Sequence, residues 1–550
     1  MQQKYISSVK GREGGIMRTK MWKRTAAAAL AVVMAASMAG CGSGDEDKQA
    51  SGGSGEKTEL TFWLTNEGEN YEKVFDEFEK RAGEDMGIDI NLNWTTKHVE
   101  EMPLKLMNQE ACDLTFDAYW VNLASNISNG LYADLSEYFD NDEYPGLKQA
   151  FTPEILETMV SSDGAIYAIP LFEQYADMRC VFYREDWRKQ LGCEPVTSEE
   201  TFHAYLEAVN DNKDSLGIES AMGLKDRGYF YYLSDWYTAV ENNIVEVDNT
   251  GVTANLNFRA LLSDDGKTVE DVSIFGDPDE RFADYPEGYQ ENFMTKRFLK
   301  IADEYGGFGN ADSATVTNAA EKFYVGKYGA IEGNLDDYNN FSTNMKQNVP
   351  DSELGVWFYE KQIDNKEETF TNQALSANYV AVPYYSENID TTMKFLDWIF
   401  QSQENHDLFC YGIEGEDWED VGDKTMEDLT PSNKYVFPGY ELCWNPEYTR
   451  VNATWPEEIQ EYKVYATNKD NFELNPISGF VFDPNISTEV KTAYAALKQI
   501  GGEYSAQLQS GLFGDDTQAK IDEFYGKAKN DIEVVRAEVE KQLQEFLDEK

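Results

Sequence analysis

This chain of 550 residues is short of basic charge, histidine, cysteine and proline, and each shortage removes a class of function. Lys and Arg number 47 against 101 Asp and Glu, a formal net charge of −54. A field of that sign repels phosphate backbones and excludes nucleic acid as a general partner. It also disfavours anionic ligands, whereas a neutral ligand is indifferent to it. The three histidines, His98, His203 and His406, show no HxxxH spacing with a Glu, so His-based zinc sites and Ser-His-Asp chemistry are poorly supplied. There is no P-loop and no Gly-x-Gly-x-x-Gly after a strand. The acidic stretches Asp140–Glu143 and Asp264-Asp265-Gly266 lack the alternating ligands and distal Glu of a calcium loop and read as solvated turns. No cofactor or metal is called for. With 15 Pro and no repeat of fixed period, an adhesin or surface stalk is disfavoured.

Long apolar runs are also missing. Ala26–Met38 is apolar and follows the basic segment Met17–Arg24, but a spanning helix needs ~20 such residues. Basic, then apolar, then small residues is the order of a secretory signal. The end of it, Met38-Ala39-Gly40-Cys41, resembles the lipobox of bacterial lipoproteins, with Met38 where Leu, Val or Ile is usual. That resemblance implies cleavage before Cys41, lipidation of its thiol, and an extracytoplasmic protein anchored to the cell membrane. The alternative is an uncleaved anchor helix. Residues 1–40 hold seven Lys or Arg and one Glu, so the chain beyond them is near −60. Residues 41–58 form a linker of Gly, Ser and charge that buries nothing and stays a flexible tether. Five cysteines follow, Cys112, Cys180, Cys193, Cys410 and Cys443, odd in number and without CxxC spacing. They read as buried apolar residues, with Cys180–Cys193 the one pairing considered.

The body from Glu59, about 490 residues, exceeds what one core holds and calls for two or more lobes. It opens as strand (Leu60–Leu64), loop (Thr65–Asn70), helix (Tyr71–Arg81), strand (Ile88–Trp94), helix (Met102–Glu110) and strand (Cys112–Ala118). Such alternation predicts an α/β fold with a mostly parallel sheet, whose ligands sit at the carboxyl ends of strands. That places Asn66, Glu67, Asp117, Tyr119 and Trp120 near a site. Further strands are expected at Cys180–Tyr183, Ala330–Glu332 and Asn378–Pro383, and helices at Phe202–Val209, Ala319–Gly329 and Thr391–Gln401. Ile521, Phe524, Ala528, Ile532, Val535, Val539, Leu543 and Phe546 follow steps of three and four, which predicts a long C-terminal helix docking one face.

The chain carries 11 Trp, 33 Tyr and 30 Phe. Most must be core, yet Trp120, Trp236, Trp357, Trp418, Trp444 and Trp455 sit beside Gly, Asn, Asp or Glu in expected loops. An aromatic face covers the C–H face of a sugar ring, while carboxylates and amides satisfy its hydroxyl rim. Candidate ligand contacts are therefore Asn66, Glu67, Asp117, Trp120, Trp236, Glu332, Asn334, Tyr411 and Trp444; none is catalytic. Asp117 and Asp235 could equally cap helices.

Four segments together resemble the family 1 extracellular solute-binding proteins of bacterial ABC importers, the carbohydrate-taking group. They are the lipobox with its strand-loop-helix start; Gly164–Pro170 followed by Phe182-Tyr183-Arg184; Phe323–Ile331, similar to F-x-x-G-K-x-A-M with Gly329 inserted; and Tyr411–Trp418 with Pro476–Phe480 later. The resemblance implies a two-lobe, type II periplasmic-binding-protein-like fold with crossing hinge strands and a C-terminal helical region. The lobes would be residues 59–170 with 375–430, and 171–374 with 431–550, with hinges near Pro170–Gln174 and Ala374–Tyr379. It further implies a monomer that captures a sugar or oligosaccharide and delivers it to ABC permease subunits, without catalysis. Rival readings are a surface glycoside hydrolase, which needs two carboxylates roughly 5–10 Å apart, and the same fold binding a peptide or polyamine.

Overall fold

The computed structural model describes residues 57–65, 71–161, 164–225, 228–229, 235–248, 250, 256–313, 315–429 and 437–550. Two sheets organise it, each with its own core. The first has the order Ile88–Trp94, Thr58–Leu64, Leu114–Ala118, Asn378–Ala381, Ile169–Leu171. Its inner strands are short apolar runs buried on both faces, with Leu60, Phe62, Leu114 and Phe116 fully buried, while the edge strand Ile88–Trp94 is largely open. The helix Tyr71–Phe78 lays Tyr71, Val74 and Phe78 on this sheet. A π turn, Glu79–Gly83, prolongs it, and the backbone is released at Gly87 in the left-handed region at φ +67°.

The sheet departs from the expected mostly parallel arrangement. Thr58–Leu64 is parallel to both its neighbours, but Asn378–Ala381 runs antiparallel to Leu114–Ala118 and to Ile169–Leu171. Asn378–Ala381 enters the sheet from the opposite end, because the chain has left this core and returned.

The second sheet has the order Leu354–Trp357, Arg179–Arg184, Tyr328–Asn334, Ser220–Gly223 and is likewise mixed. The helix expected to reach Gly329 stops at Tyr324, since the backbone turns at Gly326 (φ +73°). Gly329 belongs to the strand instead. A Cβ there would lie 2.7 Å from both the Ala221 carbonyl oxygen and Val209 Cγ1, so no larger residue fits.

A three-stranded meander, Ile244–Val247, Phe258–Leu262 and Val269–Ser273, was not evident in the sequence. The C-terminal helix Thr517–Glu549 packs on it and on the helix Thr488–Gly502, burying Ile521, Phe524, Ile532, Val535, Val539 and Leu543 completely. Each such side chain contributes about 1.5–3 kcal/mol of burial. The same face carries one charge: Arg536, 4 % exposed, meets the Asp277 carboxylate with two hydrogen bonds of 2.8 and 2.6 Å.

The first core is drawn from Leu60–Tyr175 and Val380–Tyr448, the second from clusters spanning Val181–Leu547 and Ala176–Ala466. The chain thus passes between them near 171–176, 370–380 and 448–459. Phe437, Leu442, Cys443 and Tyr448 pack in the first core.

Candidate ligand-binding cleft

The crossing segments form the floor of a cleft of about 460 Å³. Pro170–Asp177 and Thr371–Tyr379 both line it. They are stitched together: Ser376 Oγ donates to the Leu171 carbonyl (2.7 Å), and the Phe172 N–H donates to the Trp444 carbonyl (3.1 Å). The Asp248 N–H donates to Gln373 Oε1 (2.7 Å), while Gln373 Nε2 donates to the Phe480 carbonyl (2.9 Å). Gln373, buried where the passes meet, therefore fixes a lining carboxylate from the second core against the floor.

Of the residues expected at a site, Tyr119, Trp120, Trp236, Asn334 and Trp444 line this cleft. Trp120 follows the carboxyl end of Leu114–Ala118, is 58 % exposed, and donates Nε1–H to Asn378 Oδ1 at 3.1 Å. That bond holds the indole while leaving most of its surface in the cleft mouth. Trp236 begins the helix Trp236–Glu241 and donates its indole N–H to the Glu246 carboxylate. Asn334 caps the turn Leu335–Asp337, its Oδ1 accepting from the N–H groups of Asp336 and Asp337. Trp444 stands edge-on to Tyr440 with ring centres 5.7 Å apart.

Asp117, Glu332 and Tyr411 lie outside the lining. Asp117 is 1 % exposed; its carboxylate accepts from Tyr132 Oη (2.5 Å), Asn126 Nδ2 (2.8 Å) and the Asn122 N–H (3.0 Å). It braces the turn that presents Tyr119 and Trp120. Glu332 accepts from Tyr359 Oη at 2.8 Å. The Tyr411 hydroxyl accepts from the Arg450 N–H at 2.8 Å, and its ring packs on Trp418. Asn66, Glu67 and Cys41 lie outside the described residues.

The lining also contains groups that sequence reasoning passed over: Glu173, Asp177, Arg179, Glu246, Asp248 and Asp336. Glu246 is bound by Arg259 at 2.6 Å and Arg179 by Asp177. Burial, reinforced by Glu246 and opposed by Arg259, pushes the Asp248 carboxyl up to about 7. Beneath the floor, Lys463 joins Glu173 (3.0 Å) to Asp336 (2.8 Å). Burial works against the Lys463 charge, but Asp336 and then Glu173 outweigh it and hold the ammonium above its ordinary range. For Glu173, burial prevails over the pull of Lys463, and its carboxyl rises to about 7. The cleft thus offers aromatic faces beside carboxylate acceptors, the means to hold a polyhydroxylated neutral molecule. Among the described residues one group of metal-capable side chains stands together, His406, Cys410 and Cys443, and it lies behind the wall carrying Trp444.

A cleft floored by chain crossings between two α/β cores is the architecture of a two-lobed binding protein. The sequence profile described as "Bacterial extracellular solute-binding protein" matches residues 63–406, and the chain belongs to that family. A second profile, "Domain of unknown function (DUF3502)", matches residues 476–548. A protein of Streptococcus pneumoniae serotype 4 named "Carbohydrate ABC transporter substrate-binding protein" is 22 % identical over 551 residues, covering 96 % of this chain and 100 % of that one. Among solved structures, the N-glycan transport solute binding protein of Streptococcus pneumoniae superposes with a TM-score of 0.66 at 18 % identity, covering 90 % of this chain and 99 % of that one. A solute-binding protein of Bifidobacterium longum infantis described as binding HMO gives 0.58 at 17 % identity, with 90 % and 99 % covered. The type II two-lobe α/β fold read from the sequence is the fold of this chain.

Proposed function

We propose that this protein captures a neutral sugar or oligosaccharide in the cleft and delivers it, unaltered, to an ABC permease. The observation that carries the reading is the pairing of Trp120, Trp236 and Trp444 with carboxylates between the two cores. The names of its relatives, a carbohydrate ABC transporter substrate-binding protein and an N-glycan transport solute binding protein, support it. Asn334, which lines the cleft, takes hydroxyls at the rim. A ligand touching both lobes favours the closed state by its differential affinity, so closure reports capture. The lobes are 59–170 with 375–430, and 171–374 with 455–550; the packing of Phe437–Tyr448 adds that stretch to the first. The protein acts as a monomer outside the cytoplasm, anchored through lipid on Cys41.

Calorimetric titration with neutral oligosaccharides, run beside peptides and polyamines, tests the ligand class. Micromolar or tighter binding of a glycan with a matching contraction in small-angle scattering is expected. Binding of amines alone overturns the sugar reading, and steady release of reducing ends overturns the non-catalytic one.

A further inference from the structure

Cys410 is the penultimate residue of the helix Gln403–Tyr411, and Cys443 lies two residues after the turn Gly439–Glu441. They are 33 positions apart in sequence, yet their sulfurs approach to 3.3 Å, closer than two sulfurs in van der Waals contact. The space between them is prepared: at Gly439 a Cβ would lie 3.1 Å from Cys410 Sγ. One turn before Cys410 on the same helical face, His406 Nε2 stands 3.4 Å from that sulfur and 3.0 Å from the Cys443 carbonyl. Cys443 is fully buried, whereas Cys410 is only partly so. Cys112, Cys180 and Cys193 have no sulfur neighbour of this kind among the described contacts.

We propose that Cys410 and Cys443 form a disulfide when the protein meets the oxidising surroundings its family description implies. Disulfides persist outside the cytoplasm and close long loops to greatest effect. This one would close the hairpin Trp418–Gly422 and Thr425–Asp428 back onto the first core. It would also fasten Cys443, whose neighbour Trp444 lines the cleft and accepts the Phe172 N–H.

The chemistry needs an external disulfide as oxidant. Cys410, the less buried of the two thiols, gives up its proton to solvent, and its sulfur attacks the oxidant R–S–S–R, releasing one R–S⁻. The Cys443 thiolate then attacks Cys410 Sγ in the mixed disulfide and expels the second R–S⁻. Two protein thiols are oxidised, one small disulfide is reduced to two thiols, and two protons leave. Burial, aided by Cys443, pushes the Cys410 thiol well above its ordinary range.

The full chain is incubated with glutathione disulfide, unfolded, alkylated and mapped by mass spectrometry. A linked peptide containing Cys410 and Cys443 is expected, lighter by two hydrogens than its reduced parts. The oxidised protein should melt at least about 3 °C above a dithiothreitol-treated sample. C410S and C443S should each abolish that difference, and C193S should keep it. Full alkylation of both cysteines after oxidation overturns the proposal, as does linkage of another pair. One equivalent of zinc retained by the reduced chain, protecting both thiols and released by acid, overturns it in favour of a metal site on His406, Cys410 and Cys443. The map of the unsubstituted chain decides even where a variant fails to fold.

Discussion

Two groups of charges are withdrawn from water in this molecule, and they differ in what surrounds them. Arg536 and Asp277 lie inside one core, matched two bonds to two, with Val272 accepting a further bond at 2.5 Å. Lys463, Glu173 and Asp336 lie where the chain passes between cores, two carboxylates sharing one ammonium. The first arrangement is balanced, with Arg281 and Glu533 at 3.9 and 3.6 Å on its margin. The second sets two carboxylates against one ammonium, so burial still raises Glu173 to about 7, and it keeps 17 % of its side-chain exposure. A balanced pair suits a place that stays still; an unbalanced triad suits a joint whose solvation changes when the lobes move.

The largest effect should come from breaking the balanced pair. Asp277→Ala leaves a buried guanidinium without its anion and should cost about 3–5 kcal/mol in urea unfolding, with sugar affinity of the folded fraction unchanged. Lys463→Met should cost less, about 2–3 kcal/mol, because Glu173 can take up a proton and reach solvent. It should also alter the scattering radius of the ligand-free protein; an unchanged radius would mean the triad has no part in lobe movement. Trp120→Ala, which touches neither group, should weaken glycan binding by about 1–3 kcal/mol in calorimetry with no loss of melting temperature.

The smallest effect is in the pH profile. Glu173 and Asp248 have folded values near 7, raised from 4.5 and 3.8. Between those limits the folded chain holds protons that the unfolded chain has released, so the stability tied to these groups is present at low pH and lost as pH rises towards 7. Glu173→Gln should flatten that decline by on the order of 1 kcal/mol, a modest figure because the carboxylate is partly in water. Asp277→Ala should leave the same slope intact, and a slope lost in both would dissolve the distinction drawn here.

Periodicity made the regular elements readable. Leu60–Leu64, Ile88–Trp94 and the C-terminal helix carry their burial pattern in consecutive residues, and the structure has them at those places. The cleft was half readable. Aromatics flanked by polar residues pointed to Trp120, Trp236 and Trp444, but the same signature marked Trp357, Trp418 and Trp455, which pack into cores or strands outside the cleft lining. Asp117 has the same local signature, but its partners Asn126 and Tyr132 are set by the following turn and helix, and the carboxylate faces inward. Arg179, Glu246 and Asp248 gave no signal, because strands distant in sequence bring them together. The meander of Ile244–Ser273 was hidden for a related reason: its strands are nearly all buried, so alternation disappears.

The C-terminal helix has a consequence for biogenesis. The largest core reaches from Val181 to Leu547, and its final strip is synthesised after every other piece of it. Until Ile521–Leu543 emerge, the meander presents a bare apolar face and that half of the molecule cannot finish folding.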